Sequence, residues 1–193
     1  VYTNAWMKLP VGKARYGLML REDGIVMDDG TTTRISENHY HMTTTTAQAA
    51  NVLSHLEYYL QIVWPELNVN VVSTTEQWAG AAIAGPKSRD MLSKLYPDLD
   101  VSNEALPFMG YKEAEFFGVP SRIFRISFSG ELAYEINVKS DHGMFMWEKM
   151  MEVGKEFGNQ PYGTEALSTL RIEMGHVAGP ELDGRTIPSD VSL

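Results

Sequence analysis

The chain has no cysteine among its 193 residues. Disulfide bonds, thiolate zinc sites and cysteine nucleophiles are therefore excluded, and the absence fits a reducing, cytoplasmic compartment. The 16 basic residues are outnumbered by 25 acidic ones and form no cluster, so a nucleic-acid partner is not expected. The longest apolar runs are far shorter than a membrane span, and no signal peptide is visible, so a membrane partner is not expected either.

Several motifs of cofactor-binding and catalytic sites are also missing. The sequence has no G-x-G-x-x-G dinucleotide fingerprint, no G-x-x-x-x-G-K phosphate loop and no G-x-S-x-G nucleophile elbow. His39 and His41 would share one face of a strand, but no third metal ligand accompanies them, and a polar strand face is the simpler interpretation. The sequence therefore predicts no bound metal.

The composition that remains is typical of a globular protein, with 44% hydrophobic and 21% charged residues. Short segments rich in β-branched and aromatic residues are interrupted by runs with helical spacing, without regular βαβ alternation. This pattern predicts an α+β fold of mainly antiparallel sheets with packed helices. We expect two lobes of one unit, covering residues 1–76 and 77–193.

The expected elements follow from periodicity and turn residues. The predicted helices are Ala47–Val63, Gly85–Leu95, Asp141–Phe157 and Thr164–Met174. The predicted strands are Tyr16–Leu20, Gly24–Met27, Thr31–Ser36, His39–Thr44, Asn68–Thr74, Gln77–Ala84, Tyr111–Phe116, Ser121–Ser127 and Tyr134–Val138. Tight turns are expected at Asp23-Gly24 and Asp29-Gly30.

The candidates for chemistry are acidic residues beside turns. Asp28 and Asp29 precede Gly30, and an isolated Asp-Asp-Gly is better explained as a turn than as a catalytic site. The run 43–46, four threonines, is equally well explained by strand propensity and helix capping. Glu131 follows a Ser-Gly pair that would also make a turn. Residue types and spacing alone therefore identify no secure site.

Six short segments occur in an order that is typical of one protein family. They are Tyr16–Leu20, Gly24–Gly30, His41–Thr46, Gly85–Arg89, Ser127–Glu135 and Tyr162–Leu167. Through them the sequence resembles the folate-binding aminomethyltransferase family of the glycine-cleavage T-protein, and within it the α subunits of heterotetrameric sarcosine oxidases. The resemblance implies lobes of a cloverleaf whose C-terminal β-barrel lobe is absent. We therefore expect a fragment of a longer protein.

The resemblance also implies a function. The longer protein would be a one-carbon enzyme that binds tetrahydrofolate and converts an amine-derived imine or iminium to 5,10-methylenetetrahydrofolate. Flavin and NAD would be bound only by missing regions or by flavin-bearing oxidase subunits acting as partners. Two alternatives stay open, namely a stand-alone aminomethyltransferase of the T-protein type and a non-catalytic, folate-binding regulatory module.

Individual roles follow from the same resemblance. Asp29 matches the family's essential aspartate, and a fixed carboxylate at this position can remove a proton and stabilise a cation. Asp28 is the reserve candidate at this position. Glu131 matches the acid that accepts hydrogen bonds from the pteridine, and Phe128 replaces a T-protein tyrosine that could stack on the same ring.

Two further positions differ from the T-protein pattern. Thr45 stands where the T-protein has a pocket asparagine, and Thr43 lies two residues earlier. Both are expected to contact folate. Leu167 stands where the T-protein has an arginine for the folate tail, so the resemblance leaves the contact to the glutamyl tail unassigned.

Overall fold

The computed structural model describes residues 1–192, which form two compact units. The first unit comprises Val1–Thr74 and the segment that begins at Val177, and the second comprises Thr75–His176. The division predicted from the sequence assigns that last segment to the second lobe. In the structure, the backbone N–H of Val26 donates to the carbonyl of Thr186 at 2.8 Å, a pairing between distant parts of the chain that composition does not reveal.

The first unit is built on a three-stranded antiparallel sheet in the order β1-β2-β3. Its elements are β1 (Lys13–Leu20), β2 (Val26–Ser36), β3 (His39–Met42) and helix α1 (Ala49–Tyr58), which continues as a π-helical turn over Tyr59–Val63. The helix predicted over Ala47–Val63 is confirmed in position. Val52 is the fully buried side chain of α1.

Strand β2 differs from the sequence-based prediction. The strands predicted at Gly24–Met27 and Thr31–Ser36 are one continuous strand, so the turn predicted at Asp29-Gly30 is wrong. Pairing with β1 continues through the acidic pair, where Leu18 lies opposite Asp29. The backbone hydrogen bonds of a long antiparallel ladder outweigh the local turn preference of an Asp-Gly pair.

The second unit contains a four-stranded antiparallel sheet in the order β4-β7-β6-β5. Its elements are β4 (Trp78–Ala84), α2 (Ser88–Leu95), β5 (Tyr111–Phe116), β6 (Val119–Phe124), β7 (Ala133–Lys139), α3 (Gly143–Gly154) and α4 (Thr164–Glu173). The hydrophobic core of this unit includes side chains of the sheet, of α2 and of α3. The predicted α+β class with antiparallel sheets is confirmed. None of the described helices is long and apolar enough to cross a membrane.

One further prediction is wrong. The strand predicted over Asn68–Thr74 is irregular, with Val69 and Val72 exposed at 53% and 73%. Alternating valines form a strand only where a neighbouring strand pairs with them, and no such pairing occurs within the described residues. In α3, Met144 is 69% exposed, whereas Met146 and Met150, one helical turn apart, face the core.

Candidate functional site

The acidic pair of β2 presents its carboxylates to different surroundings, because successive strand side chains point to opposite faces. Asp28 is 0% exposed, whereas Asp29 is half-buried. Asp29 Oδ2 accepts a hydrogen bond from the Tyr16 hydroxyl at 2.9 Å, and Oδ1 accepts a longer one from the Thr45 hydroxyl at 3.4 Å. Asp29 is thus held in place and remains partly accessible, as a general base must be.

The carboxyl group of Asp28 is poorly solvated. Its Oδ2 accepts the backbone N–H of Thr45 at 3.2 Å, and its Oδ1 is buried without a hydrogen-bond partner in the described part of the chain. Burial raises the pKa of Asp28 above its usual value, and the hydrogen bonds from Thr45 only oppose this shift. Asp28 is therefore less suited than Asp29 to carry a negative charge.

We expect Asp28→Asn to increase the free energy of unfolding at pH 7. Because burial raises the native pKa, the native state binds this proton more tightly than the unfolded chain does, so stability falls as pH rises above 3.8 through the native pKa. The amide carries no charge and keeps an oxygen for the Thr45 N–H. Urea unfolding at pH 7 and at pH values below 3.8 measures the effect, and the gain should disappear at the lower pH.

Asp23→Asn is the matched control, because Asp23 is an exposed acid of the same unit that pairs with Arg21. Its removal should change stability little at either pH. A loss of stability in Asp28→Asn at pH 7 would contradict the prediction, since it would mean that the ionised carboxylate stabilises the fold.

Two tyrosines close to the acids were not assigned roles from the sequence. Burial and the neighbouring Asp29 carboxylate raise the pKa of Tyr16, so its hydroxyl stays a hydrogen-bond donor. Burial raises the pKa of Tyr2 to about 12, with Asp28 and Asp29 contributing. The strand register would have identified Tyr16, because it lies two residues from Leu18, the cross-strand partner of Asp29, and therefore on the same face.

The two threonines expected to contact folate have different partners. Thr45 bonds to both acids, as described above, whereas the Thr43 hydroxyl accepts the backbone N–H of Thr31 at 3.0 Å. A Cβ atom on Gly30 would lie 2.0 Å from the carbonyl oxygen of Thr43. Glycine is therefore required at this position, because the backbone of the threonine run lies too close to β2 for a side chain to fit between them.

In the second unit, residues 127–131 form a tight loop between β6 and β7. The Ser127 hydroxyl donates to the carbonyl of Glu131 at 2.5 Å, and the N–H of Glu131 donates to the Ser129 hydroxyl at 3.4 Å. The loop leaves the Glu131 side chain exposed, without a hydrogen-bond partner among residues 1–192, and the Phe128 ring 38% exposed. The two residues assigned to the pteridine by resemblance thus lie on one loop.

His176, which follows α4, was missed by sequence reasoning. Its ring stacks on that of Phe128 with the centroids 6.0 Å apart and the planes inclined by 19°. His176 Nδ1 lies 2.9 Å from the carbonyl oxygen of Phe128, and the Arg171 guanidinium donates to the carbonyl of His176 at 3.1 Å. No local signal links residues so far apart in the chain. Because His176 covers one face of Phe128, a ligand ring could stack only on the other.

Substitution of Gly130 tests how tightly this loop is packed. Gly130 has φ +85°, and a Cβ atom there would lie 1.9 Å from Met174 Cγ. We expect Gly130→Ala to lose about 1–2 kcal/mol from the left-handed conformation and a further 1–3 kcal/mol or so from the overlap with Met174. Chemical unfolding measures the total loss.

Gly158→Ala is the matched control, because Gly158 has φ +74° but open space around the Cβ position. It should show the conformational loss alone. Equal losses in both variants would mean that Met174 moves aside freely and does not hold the loop.

Two other observations concern sites away from the residues expected to act as a base or to contact folate. A cleft of about 590 Å³ runs along β4 and is lined by Lys87, Tyr162 and Leu167, but it offers no carboxylate for proton abstraction. Within residues 1–192, no group of three His, Asp or Glu side chains is arranged to hold a metal ion. The acidic pair of β2 and the 127–131 loop are therefore the candidate functional groups.

Comparison with known proteins decides the family. The family model for the GCVT N-terminal domain matches residues 1–193. The chain belongs to the GCVT N-terminal domain family. The resemblance predicted from the six motifs is thereby confirmed.

Two curated relatives place this GCVT N-terminal domain more closely. It is 54% identical over 195 residues to the sarcosine oxidase subunit alpha of Rhizobium meliloti (strain 1021), an alignment that covers 100% of the chain and 20% of that subunit. It is 32% identical over 192 residues to the aminomethyltransferase of Chloroherpeton thalassium, covering 99% of the chain and 51% of that protein. The domain therefore spans a fifth of the first relative and about half of the second.

A solved structure confirms the fold. The aminomethyltransferase T of the glycine cleavage system from Bartonella henselae superposes on this GCVT N-terminal domain with a TM-score of 0.76. The match covers 94% of this chain and 46% of the other, at 23% sequence identity. The chain therefore has the fold expected from the resemblance.

Proposed function

We propose that this domain is the tetrahydrofolate-binding part of a one-carbon enzyme of the sarcosine oxidase alpha type. The enzyme would convert an amine-derived iminium and tetrahydrofolate to 5,10-methylenetetrahydrofolate. One observation carries the proposal, namely a half-buried carboxylate, Asp29, oriented by two hydroxyl groups in a chain that is 54% identical over its whole length to a sarcosine oxidase subunit alpha. The reaction itself is the one that the resemblance to this family implies.

The reaction requires a group that accepts a proton and later donates it. Tetrahydrofolate supplies two nucleophilic nitrogens, and their two N–H protons end on the departing amine. Asp29 would accept a proton from a folate nitrogen and return it to the amine, so no net proton remains on the protein. While ionised, it would also stabilise the iminium cation. The donors Tyr16 and Thr45 hold the carboxylate oxygens for both tasks.

Binding of the pteridine would fall to the 127–131 loop. The pteridine amino group and the adjacent ring N–H form a donor pair, which a carboxylate accepts through two parallel bonds. Glu131 suits this role because its carboxylate is exposed and accepts no other bond in the described chain. The exposed face of Phe128 would stack on the ring.

The same proposal covers the partner subunit, the other cofactors and the cellular location. The amine would be oxidised on a flavin-bearing oxidase subunit, and flavin and NAD would be held outside this chain. We also propose a cytoplasmic location, supported by the absence of cysteine. The stand-alone aminomethyltransferase remains the alternative, with 32% identity to such an enzyme against 54% to the sarcosine oxidase subunit.

Calorimetric titration of the full-length protein with folinic acid, a stable tetrahydrofolate analogue, tests the proposal. We expect saturable binding to the wild type and weakened binding to Glu131→Gln. Absence of binding to the wild type would overturn the proposed function. Production of 5,10-methylenetetrahydrofolate from sarcosine then distinguishes the oxidase type from an aminomethyltransferase, which would release ammonia from an aminomethyl donor.

A further inference from the structure

A second polar cluster lies in the second unit, and the proposed function makes no use of it. It joins Arg89 of α2 with Arg125, which directly follows β6. Both guanidinium groups donate to the side-chain oxygen of Asn103, at 2.7 Å and 2.8 Å respectively. Because they share one acceptor atom, the two positive charges lie close together.

All the acceptors in this cluster are neutral. Arg89 also donates to the carbonyl of Val101, and Arg125 donates to the carbonyl of Leu106 at 3.1 Å. Within the described residues, neither guanidinium forms an ion pair with a carboxylate, whereas Arg122 on β6 is 3.9 Å from Glu113. Two adjacent cations without an anion repel each other, so this arrangement favours a bound anion.

A buried hydroxyl adds a third donor. Tyr134 on β7 is 0% exposed, and its hydroxyl has no hydrogen-bond partner in the described chain. The Cζ atom of Arg89 lies 5.9 Å from the centre of the tyrosine ring. Burial raises the pKa of Tyr134, and the charges of Arg89 and Arg125 oppose that shift, so both act on this phenol. A neutral phenol beside two guanidinium groups is a donor set suited to an oxyanion.

The cluster is close to the 127–131 loop. Strand β6 ends at Phe124 opposite Glu135, so Arg125 and Tyr134 adjoin that pair, where β6 and β7 separate into the loop. The arginine side chains are only partly buried, which leaves them accessible to a ligand. A ligand with a polar ring at one end and a carboxylate at the other could place the ring on the 127–131 loop and the carboxylate on the arginine cluster.

We propose that Arg89, Arg125 and Tyr134 form a carboxylate-binding site and that its ligand is the glutamyl tail of the folate. The identity of the ligand rests on the proposed function, whereas the site itself rests on the cluster alone. The planar guanidinium group binds a carboxylate through two parallel hydrogen bonds, which a lysine cannot do. The tail would displace part of the contacts to Asn103.

Calorimetry on the full-length protein with two ligands tests the assignment. Arg125→Gln should weaken the binding of folinic acid about tenfold or more, because charge-assisted hydrogen bonds are lost. Its affinity for 5-formyltetrahydropteroate, which lacks the glutamate, should not change. Arg122→Gln is the matched control, since Arg122 lies on β6, 3.9 Å from Glu113 and 4.0 Å above the Trp78 ring. It should leave both affinities unchanged.

Other outcomes would overturn the proposal. Equal weakening for both ligands would mean that Arg125 only supports the loop, and unchanged affinities would mean that the tail does not reach the cluster. Competition by inorganic phosphate as strong as that by p-aminobenzoyl-L-glutamate would indicate a general anion site and not a tail site.

The carboxylate-binding site can be tested separately from the proposed function. If the wild type binds no folinic acid, the proposed function fails. NMR of the arginine side chains with p-aminobenzoyl-L-glutamate then tests the site alone. Shifts of the Arg89 and Arg125 signals that are reduced in Tyr134→Phe would support it, and unchanged signals would contradict it.

Discussion

Replacement of Asp29 by alanine should reduce the formation of 5,10-methylenetetrahydrofolate by about two to four orders of magnitude, the usual contribution of a general base. Folinic acid should still bind, because the pteridine contacts proposed for Glu131 are untouched. Alanine removes the carboxylate that the Tyr16 and Thr45 hydroxyls hold, and Asp28, buried on the opposite side of β2, cannot replace it. The measurement is product formation by the full-length protein with sarcosine and tetrahydrofolate.

Two further variants accompany this experiment, one as a control and one to test a donor to Asp29. Asp23→Ala is the control, because it removes an exposed acid of the same unit that pairs with Arg21. It should leave the rate unchanged. Tyr16→Phe removes one donor to Asp29 and should slow the reaction by a smaller factor than the loss of the base itself. Wild-type rates in Asp29→Ala, with folate still bound, would refute the catalytic assignment and favour a non-catalytic folate-binding module.

Glu131→Gln should weaken folinic acid binding by about 10–100-fold, as expected for the loss of charge-assisted hydrogen bonds worth roughly 1.5–3 kcal/mol. Glutamine is nearly the same size, but its amide presents an N–H₂ group where the pteridine presents donors of its own. One hydrogen bond is therefore lost and replaced by a contact between donors. Calorimetric titration of the full-length protein measures the change in affinity.

Glu115→Gln is the control for this variant, because Glu115 is an exposed acid on β5 of the same unit. It should bind folinic acid like the wild type. The loop conformation depends on Ser127 and on the backbone of residue 131, so Glu131→Gln should unfold at the same denaturant concentration as the wild type. Undiminished affinity in Glu131→Gln would place the pteridine elsewhere.

Much of the fold was predictable because local patterns determine it. The strand over Tyr111–Phe116 was predicted to the residue, since the aromatic residues at its two ends are buried in the pairing that forms. The prediction failed where local and long-range preferences differ. Asp29-Gly30 favours a turn in isolation, yet it lies inside an antiparallel ladder. The valines of 68–74 favour a strand, yet no strand pairs with them in the described chain.

The family and the identities of the candidate acids came from the sequence by itself. Motif order pointed to Asp29 and Glu131, because residue types in a fixed order persist among relatives even where each motif alone is weak. Only the tertiary structure decided how these residues are held. Burial distinguishes Asp28 from Asp29, since adjacent strand residues face opposite sides. The stacking of His176 on Phe128 and the hydrogen bonds from Arg89 and Arg125 to Asn103 join residues far apart in sequence. Such contacts arise only from folding, because no local pattern specifies them.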